Sequence, residues 1–176
     1  MISLLTLLSF FWLADPAPIK GVPPPPGGVF ETEITRVVSD HAKVEMQGIL
    51  AELERMSQPA ETKAEIKRRL AGLRVAVYTT PKSWDETVAF YEGPAMQVVF
   101  LKGQRDILAD LRDYARAAGL SVDPAVEKAW TGKSGLTARW TKDDETLQIV
   151  VEDHLIDPRD GKVTPKTVVL VTKLGS

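Results

Sequence analysis

The chain has no cysteine among its 176 residues. This absence excludes a disulfide framework, a thiolate metal site, a cysteine nucleophile and the lipidated cysteine of a bacterial lipoprotein. Histidine is nearly as scarce, with two residues, and the formal net charge is only −2. That balance gives no electrostatic reason to expect a nucleic-acid partner, which usually requires a clustered basic surface. The 44% hydrophobic content is that of a globular protein.

Complete catalytic motifs are also missing. No Gly-x-Ser-x-Gly nucleophile elbow occurs, so His41 lacks the partner that a hydrolytic triad needs. Residues 131–134 read Thr-Gly-Lys-Ser, like the end of a phosphate-binding loop, but Glu127 stands where that loop requires glycine. We interpret residues 131–134 as a turn into a strand, and His41 as a surface residue in a turn.

The first 13 residues are apolar and uncharged. They are too few to span a bilayer, which takes about 20 residues, but they fit the apolar region of a secretory signal. No basic residue precedes them, and cleavage after Ala14 or Ala17 would place Trp12 or Asp15 at the −3 position. The alternative is an apolar segment that packs on the domain or remains as an anchor. We predict export to the periplasm or secretion, with 1–17 as signal peptide or apolar N-terminal segment.

Residues 18–28 are rich in proline and glycine. Such a composition favours an extended polyproline II spacer that buries too little surface to order itself. The sequence therefore predicts a disordered linker at 18–28, a mature chain that begins between Asp15 and Gly21, and a single domain from 29 to 176.

The clearest secondary-structure pattern lies between residues 61 and 80. A charged run at 61–71 has acidic residues early and basic residues late, which suits a helix dipole. Gly72 follows it, and we predict a left-handed C′ conformation there. Residues 74–80 are rich in β-branched residues with no polar face, which predicts a strand covered on both sides.

The next helix has a strong start signal. Ser83 and Glu86 match the Ser-x-x-Glu capping box. Trp84, Val88 and Tyr91 then recur at helical spacing, which predicts that this face packs on the sheet.

The remaining elements follow from periodicity. Residues 29–38 fit either a helix or a strand, and the alternation at 44–48 favours a hairpin of two strands, followed by a short helix from 49. The other predicted elements are a strand at 95–101, helices at 106–118 and 124–130, and strands at 136–141, 147–152 and 167–172. The predicted class is α+β, with a mixed, largely antiparallel sheet, helices packed on it, and a final three-stranded antiparallel meander.

Residues 43–53, Lys-Val-Glu-Met-Gln-Gly-Ile-Leu-Ala-Glu-Leu, followed by the strand at 73–78 and by Phe90-Tyr91 on a helix, resemble small exported bacterial domains of unknown function. The resemblance implies export and an α+β sandwich. It implies no catalytic residues.

The densest polar cluster contains Asp153, His154, Asp157 and Asp160. Carboxylates with a histidine bind hard or borderline cations, although the spacing does not match a calcium loop. The alternative is a turn, since Asp-Pro-Arg-Asp-Gly is typical turn chemistry. Trp130, beside a turn, is the predicted exposed aromatic for ligand binding.

The sequence favours an exported, non-enzymatic binding or envelope accessory domain with a protein or small-molecule partner in the cell envelope and no cofactor. The alternative is a metal-dependent or hydrolytic enzyme that uses the four-residue cluster.

Overall fold

The computed structural model describes residues 16–92, 98–117, 121–142 and 146–175. The predicted signal, the expected helix stop at 93–94 and the start of the predicted strand at 95–101 lie outside these ranges. The described elements are β1 (Val29–Phe30), α1 (Thr32–Arg55), α2 (Ala60–Ala71), β2 (Arg74–Thr80), α3 (Trp84–Tyr91), β3 (Val98–Asp106), α4 (Ile107–Ala117), α5 (Pro124–Trp130), β4 (Ser134–Lys142), β5 (Leu147–Glu152), β6 (Leu155–Ile156), β7 (Val163–Thr164) and β8 (Thr167–Lys173).

One sheet organises the described part of the chain. Its strands lie in the order β1-β2-β8-β5-β4-β3, and each neighbouring pair is antiparallel. Strands β6 and β7 form a separate hairpin between β5 and β8. The α+β class is confirmed, and so is the predicted meander, since β4, β5 and β8 lie side by side.

The predicted hairpin at 29–48 is wrong beyond its first strand. A single helix, α1, runs from Thr32 to Arg55 and includes both the turn predicted at His41 and the predicted short helix from 49. Its buried or half-buried residues Ile34, Val38, Ala42 and Met46 recur every four positions, as one face of a helix does. That longer pattern outweighs the brief alternation at 44–48.

The sheet buries two apolar faces. On one face Ala76 and Tyr78 of β2 join a cluster with Trp140 of β4, and α3 covers it through Val88 and Tyr91. The opposite face is covered by the first half of α1, and its members are Ile34, Val75, Val77 and Val168 with half-buried Val38, Ala42, Leu155 and Leu170. Strand β2 is therefore covered on both sides, as predicted.

The predicted start of α3 is confirmed. The Ser83 hydroxyl accepts a hydrogen bond from the Glu86 backbone N–H, and the Glu86 carboxylate accepts one from the Ser83 N–H. Trp84 packs half-buried against the sheet, and its indole N–H donates to the Val151 carbonyl at 3.2 Å.

The prediction of a left-handed conformation at Gly72, where α2 ends, is wrong. The φ of Gly72 is −90°, so it is not left-handed. Glycine is needed instead for close approach, because a Cβ at Gly72 would lie 2.3 Å from the Gly175 Cα. The Gly175 N–H also donates to the Arg69 carbonyl at 2.9 Å, so the C-terminal residues close the end of α2.

The proline-rich segment packs on the domain. Ile19 is 3% exposed and belongs to the same apolar cluster as Trp140, and Pro25 is also buried. The structure thus differs from the disordered linker predicted at 18–28. Residues 18–28 contain few apolar side chains, but the side chain of Ile19 is buried among residues of the sheet, and this burial stabilises the packed segment.

Candidate functional site

Two of the four predicted cluster residues, half-buried Asp153 and buried His154, form a hydrogen-bonded pair directly after β5. His154 is 3% exposed, and its Nδ1 lies 2.9 Å from Asp153 Oδ1. The same oxygen accepts a hydrogen bond from the Leu136 backbone N–H at 2.9 Å. The imidazole lies against Gly135 of β4, where a Cβ would be only 2.3 Å from His154 Cε1. This pair therefore ties the end of β5 to β4.

The other nitrogen of His154 is buried too. Nε2 has no hydrogen-bond partner among the described residues. A general base must come within hydrogen-bond distance of the proton that it removes. A buried Nε2 cannot meet that requirement without a rearrangement of the β5–β6 connection, so the geometry is that of a packed histidine.

Asp157 and Asp160 belong to the turn between β6 and β7. The Asp157 carboxylate accepts hydrogen bonds from the Arg159 backbone N–H and Nε at 2.9 and 2.8 Å. The hydrogen bond from the Arg159 side chain holds the pKa of Asp157 below its usual value. Asp160 accepts from the Lys162 N–H at 3.0 Å, and Gly161 has φ +68°. These are the features of the predicted turn.

The predicted metal site is not assembled in the described ranges, where no three histidine or acidic residues lie close enough together to hold an ion. Trp130 ends α5, but its side chain is not among those described. The turn predicted at 131–134 is present, with φ +72° at Gly132. His41 is half-buried within α1 rather than in a turn.

The most exposed part of the described fold is a helical arm, which we define as residues 44–71. It comprises the second half of α1, a short connection and α2. Its buried side chains are Met46 and Leu53, and α2 buries none. Yet large apolar side chains stand exposed on the arm: Val44 is 67% exposed, Ile49 51% and Met56 47%.

Polar contacts at the surface join the two helices of the arm. Lys67 forms an ion pair with Glu54, and the Lys63 Nζ donates to the Glu54 carbonyl at 3.0 Å. The hydrogen bond from Lys67 lowers the pKa of Glu54. Exposed ion pairs contribute little stability, typically below about 1 kcal/mol. The arm is therefore held at its base by the sheet and, further out, mainly by Leu53.

A shallow depression lies at the base of the arm. It is open to solvent, has a cavity volume of only about 10 Å³, and is lined by Ser39, Lys43, Met46, Leu73 and Val75. That volume is below the roughly 300–1,000 Å³ of typical ligand pockets. Apart from this depression, the surface of the arm consists of the solvent-facing sides of its two helices.

Sequence reasoning missed the arm because it divided α1 into three pieces. Composition alone does not single out Val44, Ile49 and Met56, because the same run also contains apolar Met46, Leu50, Ala51 and Leu53. Comparison with known protein families, characterised proteins and solved structures finds no match for the chain. Within the described ranges, no helix is long and apolar enough to cross a membrane.

Proposed function

We propose that the protein is an exported, non-enzymatic binding domain of the cell envelope, and that its helical arm contacts a protein partner. The observation that carries the proposal is the exposure of Val44 and Ile49 on the second half of α1, and of Met56 just after it, in an arm whose buried side chains are Met46 and Leu53. An apolar side chain in water gains nothing for the fold, while its burial in an interface is favourable by about 25 cal/mol per Å².

The shape of the arm favours a protein over a small molecule. Small-molecule sites are concave and surround most of the ligand, whereas helix surfaces with apolar anchors are typical of protein recognition. The depression at the base of the arm is too small to surround a typical ligand. The exposed apolar residues Ile49 and Met56 lie close in the chain to the charged residues Glu52 and Arg55, and protein interfaces combine apolar side chains with a polar rim.

The hydrogen bonding of the polar cluster weakens the enzymatic alternative. Asp153 and His154 are engaged with each other and with the backbone of β4, while Asp157 is paired with Arg159. Export is supported by the apolar residues 1–13, which precede the folded segment that begins near Ile19.

Site-specific photocrosslinking tests the proposal. A photoreactive residue would replace Ile49 on the arm in full-length protein, expressed in the cells that naturally produce it. The matched control places the same residue at Lys162, whose side chain is 80% exposed at the turn between β6 and β7. We expect a discrete protein adduct in the envelope fraction from position 49 and none from position 162.

A second comparison tests whether the apolar surface is responsible. Val44→Gln and Met56→Gln, introduced beside the crosslinker at position 49, should reduce the adduct at least tenfold while the unfolding temperature stays unchanged. Equal adducts from positions 49 and 162 would contradict arm-specific binding. The absence of any adduct at position 49 would contradict the proposal as a whole.

A further inference from the structure

The N-terminal segment of the described chain behaves as a structural strap, which we define as residues 19–28. Ile19 is buried in the apolar cluster that contains Tyr78, Tyr91 and Trp140, and Val22 packs against the same cluster. Near the other end of the strap, Pro25 is buried and the Gly28 N–H donates to the Pro25 carbonyl at 2.8 Å. The strap thus contacts the domain along its length.

Side-chain hydroxyls hold the strap by its backbone. The Tyr91 hydroxyl donates to the Pro23 carbonyl at 2.9 Å, and the Thr80 hydroxyl donates to the Pro26 carbonyl at 2.7 Å. The Tyr78 hydroxyl is hydrogen-bonded to the backbone of Ile19. Burial, the larger influence, nevertheless raises the pKa of Tyr78, and burial also raises that of Tyr91. The Tyr91 phenol therefore stays neutral and able to donate to the Pro23 carbonyl across the physiological range.

These contacts indicate that the domain begins before residue 29, the start predicted from the sequence. Val29 starts the first strand and is 58% exposed, whereas Ile19, ten residues earlier, is 3% exposed in the core. A chain that began after Ile19 would leave a cavity among aromatic residues, and such cavities cost stability in proportion to their volume.

We infer that the folded domain begins at Ile19, so that an export signal can be removed without loss of the fold only by hydrolysis of a peptide bond N-terminal to Ile19. A signal peptidase of the exporting cell would supply the catalyst. Water adds its hydroxyl to the carbonyl carbon and its proton to the leaving amide nitrogen, which yields a carboxylate and a new amino terminus.

This inference rests on the proposed export, and its test has two independent arms. The first arm is N-terminal sequencing of protein that a bacterial host exports from the full-length gene. We expect the mature chain to begin no later than Ile19. Folded mature protein beginning at Lys20 or later would overturn the inference. An intact Met1 on cytoplasmic protein would overturn both the processing and the export.

The second arm tests the strap without reference to export, through variants of the full-length chain. Ile19→Ala should lower the unfolding temperature by about 5–15 °C, as the loss of a large buried side chain does in a chain of this size. Tyr91→Phe keeps the ring and removes the hydrogen bond to Pro23, and should lower it by about 2–4 °C.

The matched control is Pro24→Ala, since Pro24 is exposed in the same segment. It should change the unfolding temperature by less than about 2 °C. Limited proteolysis within residues 20–28 should accelerate in Ile19→Ala and not in Pro24→Ala. If Ile19→Ala and Pro24→Ala have equal effects on both readouts, the strap is not part of the domain and the inference fails, even where export has been demonstrated.

Discussion

The aromatic face of the sheet and the helical arm both carry large apolar side chains. Those of the sheet are buried, whereas several of those on the arm are exposed. At the sheet, Tyr78 of β2 and Trp140 of β4 are covered by α3 and the strap, and these two residues and Tyr91 of α3 are each at most 3% exposed. On the arm, Val44 and Ile49 are more than half exposed. The difference teaches that apolar content alone does not define the core of this protein. What decides is whether another element covers the side chain.

The largest expected contrast comes from removing one large side chain in each region. Trp140→Ala should cost about 3–5 kcal/mol of unfolding free energy, because it leaves a cavity beside Tyr91, whose ring centroid is 5.8 Å from that of Trp140. Val44→Ala should change stability by no more than about 0.5 kcal/mol. Denaturant melts of both variants measure this difference, and comparable losses would remove the distinction between core and arm.

Glycine replacement should have opposite signs in the two regions. Gly135→Ala places a Cβ against the buried His154 ring and should cost about 1–3 kcal/mol. Gly48→Ala lies in α1 with nothing within 4 Å of the new Cβ, and should stabilise by about 0.5–1 kcal/mol through helix propensity. Thermal and denaturant unfolding give both values. A stabilising Gly135→Ala would mean that His154 is not packed on β4.

The helix cap of α3 should have an intermediate effect. Ser83→Ala removes the hydroxyl that accepts the Glu86 N–H at 3.2 Å, and should cost about 0.5–2 kcal/mol. Ser83→Asp is the matched rescue, since aspartate also caps helix starts. Equal losses in both variants would show that the hydroxyl does not act as a cap.

The smallest effect should appear as a dependence on pH. Hydrogen bonds from the Ser83 backbone, from Lys82 and from the Ser83 side chain lower the pKa of Glu86 from 4.5 to about 2. Because the folded pKa is the lower one, Glu86 contributes stability above about pH 4.5, and this contribution is lost as the pH falls towards 2.

The matching variant is Glu86→Gln, which cannot ionise. The wild-type advantage in unfolding temperature over this variant should be constant above about pH 5 and should shrink steadily down to about pH 2. An advantage that does not change with pH would indicate that the carboxylate charge plays no part in the cap.

Much of the sheet and its flanking helices could be predicted because their signals are local. Ser83 and Glu86 announce a helix within four residues, and Asp123 caps α5 by accepting from the Ala125 N–H at 2.7 Å. The turn at 157–161 was predictable for the same reason, since its hydrogen bonds join neighbours.

The remaining features depend on partners far away in the chain. Helix α1 was missed because Ile34 and Val38 become a buried face only when β2 and β8 pack on them. The strap was missed because its hydrogen bond from Tyr91 spans 68 residues. A proline-rich composition predicts weak intrinsic order. It does not reveal the hydroxyls of Tyr91 and Thr80, which lie elsewhere in the chain and hydrogen-bond to the segment.

The burial of His154 likewise depends on the register of β4, which places Gly135 beside the ring. From sequence, four polar residues in eight positions resemble a site. In the structure they divide between a hydrogen-bonded pair with a buried His154 and a surface turn, so the candidate site moves to the arm.

The central claim is that the apolar side chains of the arm serve a partner and not the fold. The most direct measurement is the unfolding free energy, in denaturant, of the full-length triple variant Val44→Gln, Ile49→Gln and Met56→Gln. Glutamine keeps helix propensity while it removes the apolar surface. We predict a change of no more than about 1 kcal/mol from wild type. A loss of about 3 kcal/mol or more would place these side chains in the core and contradict the claim.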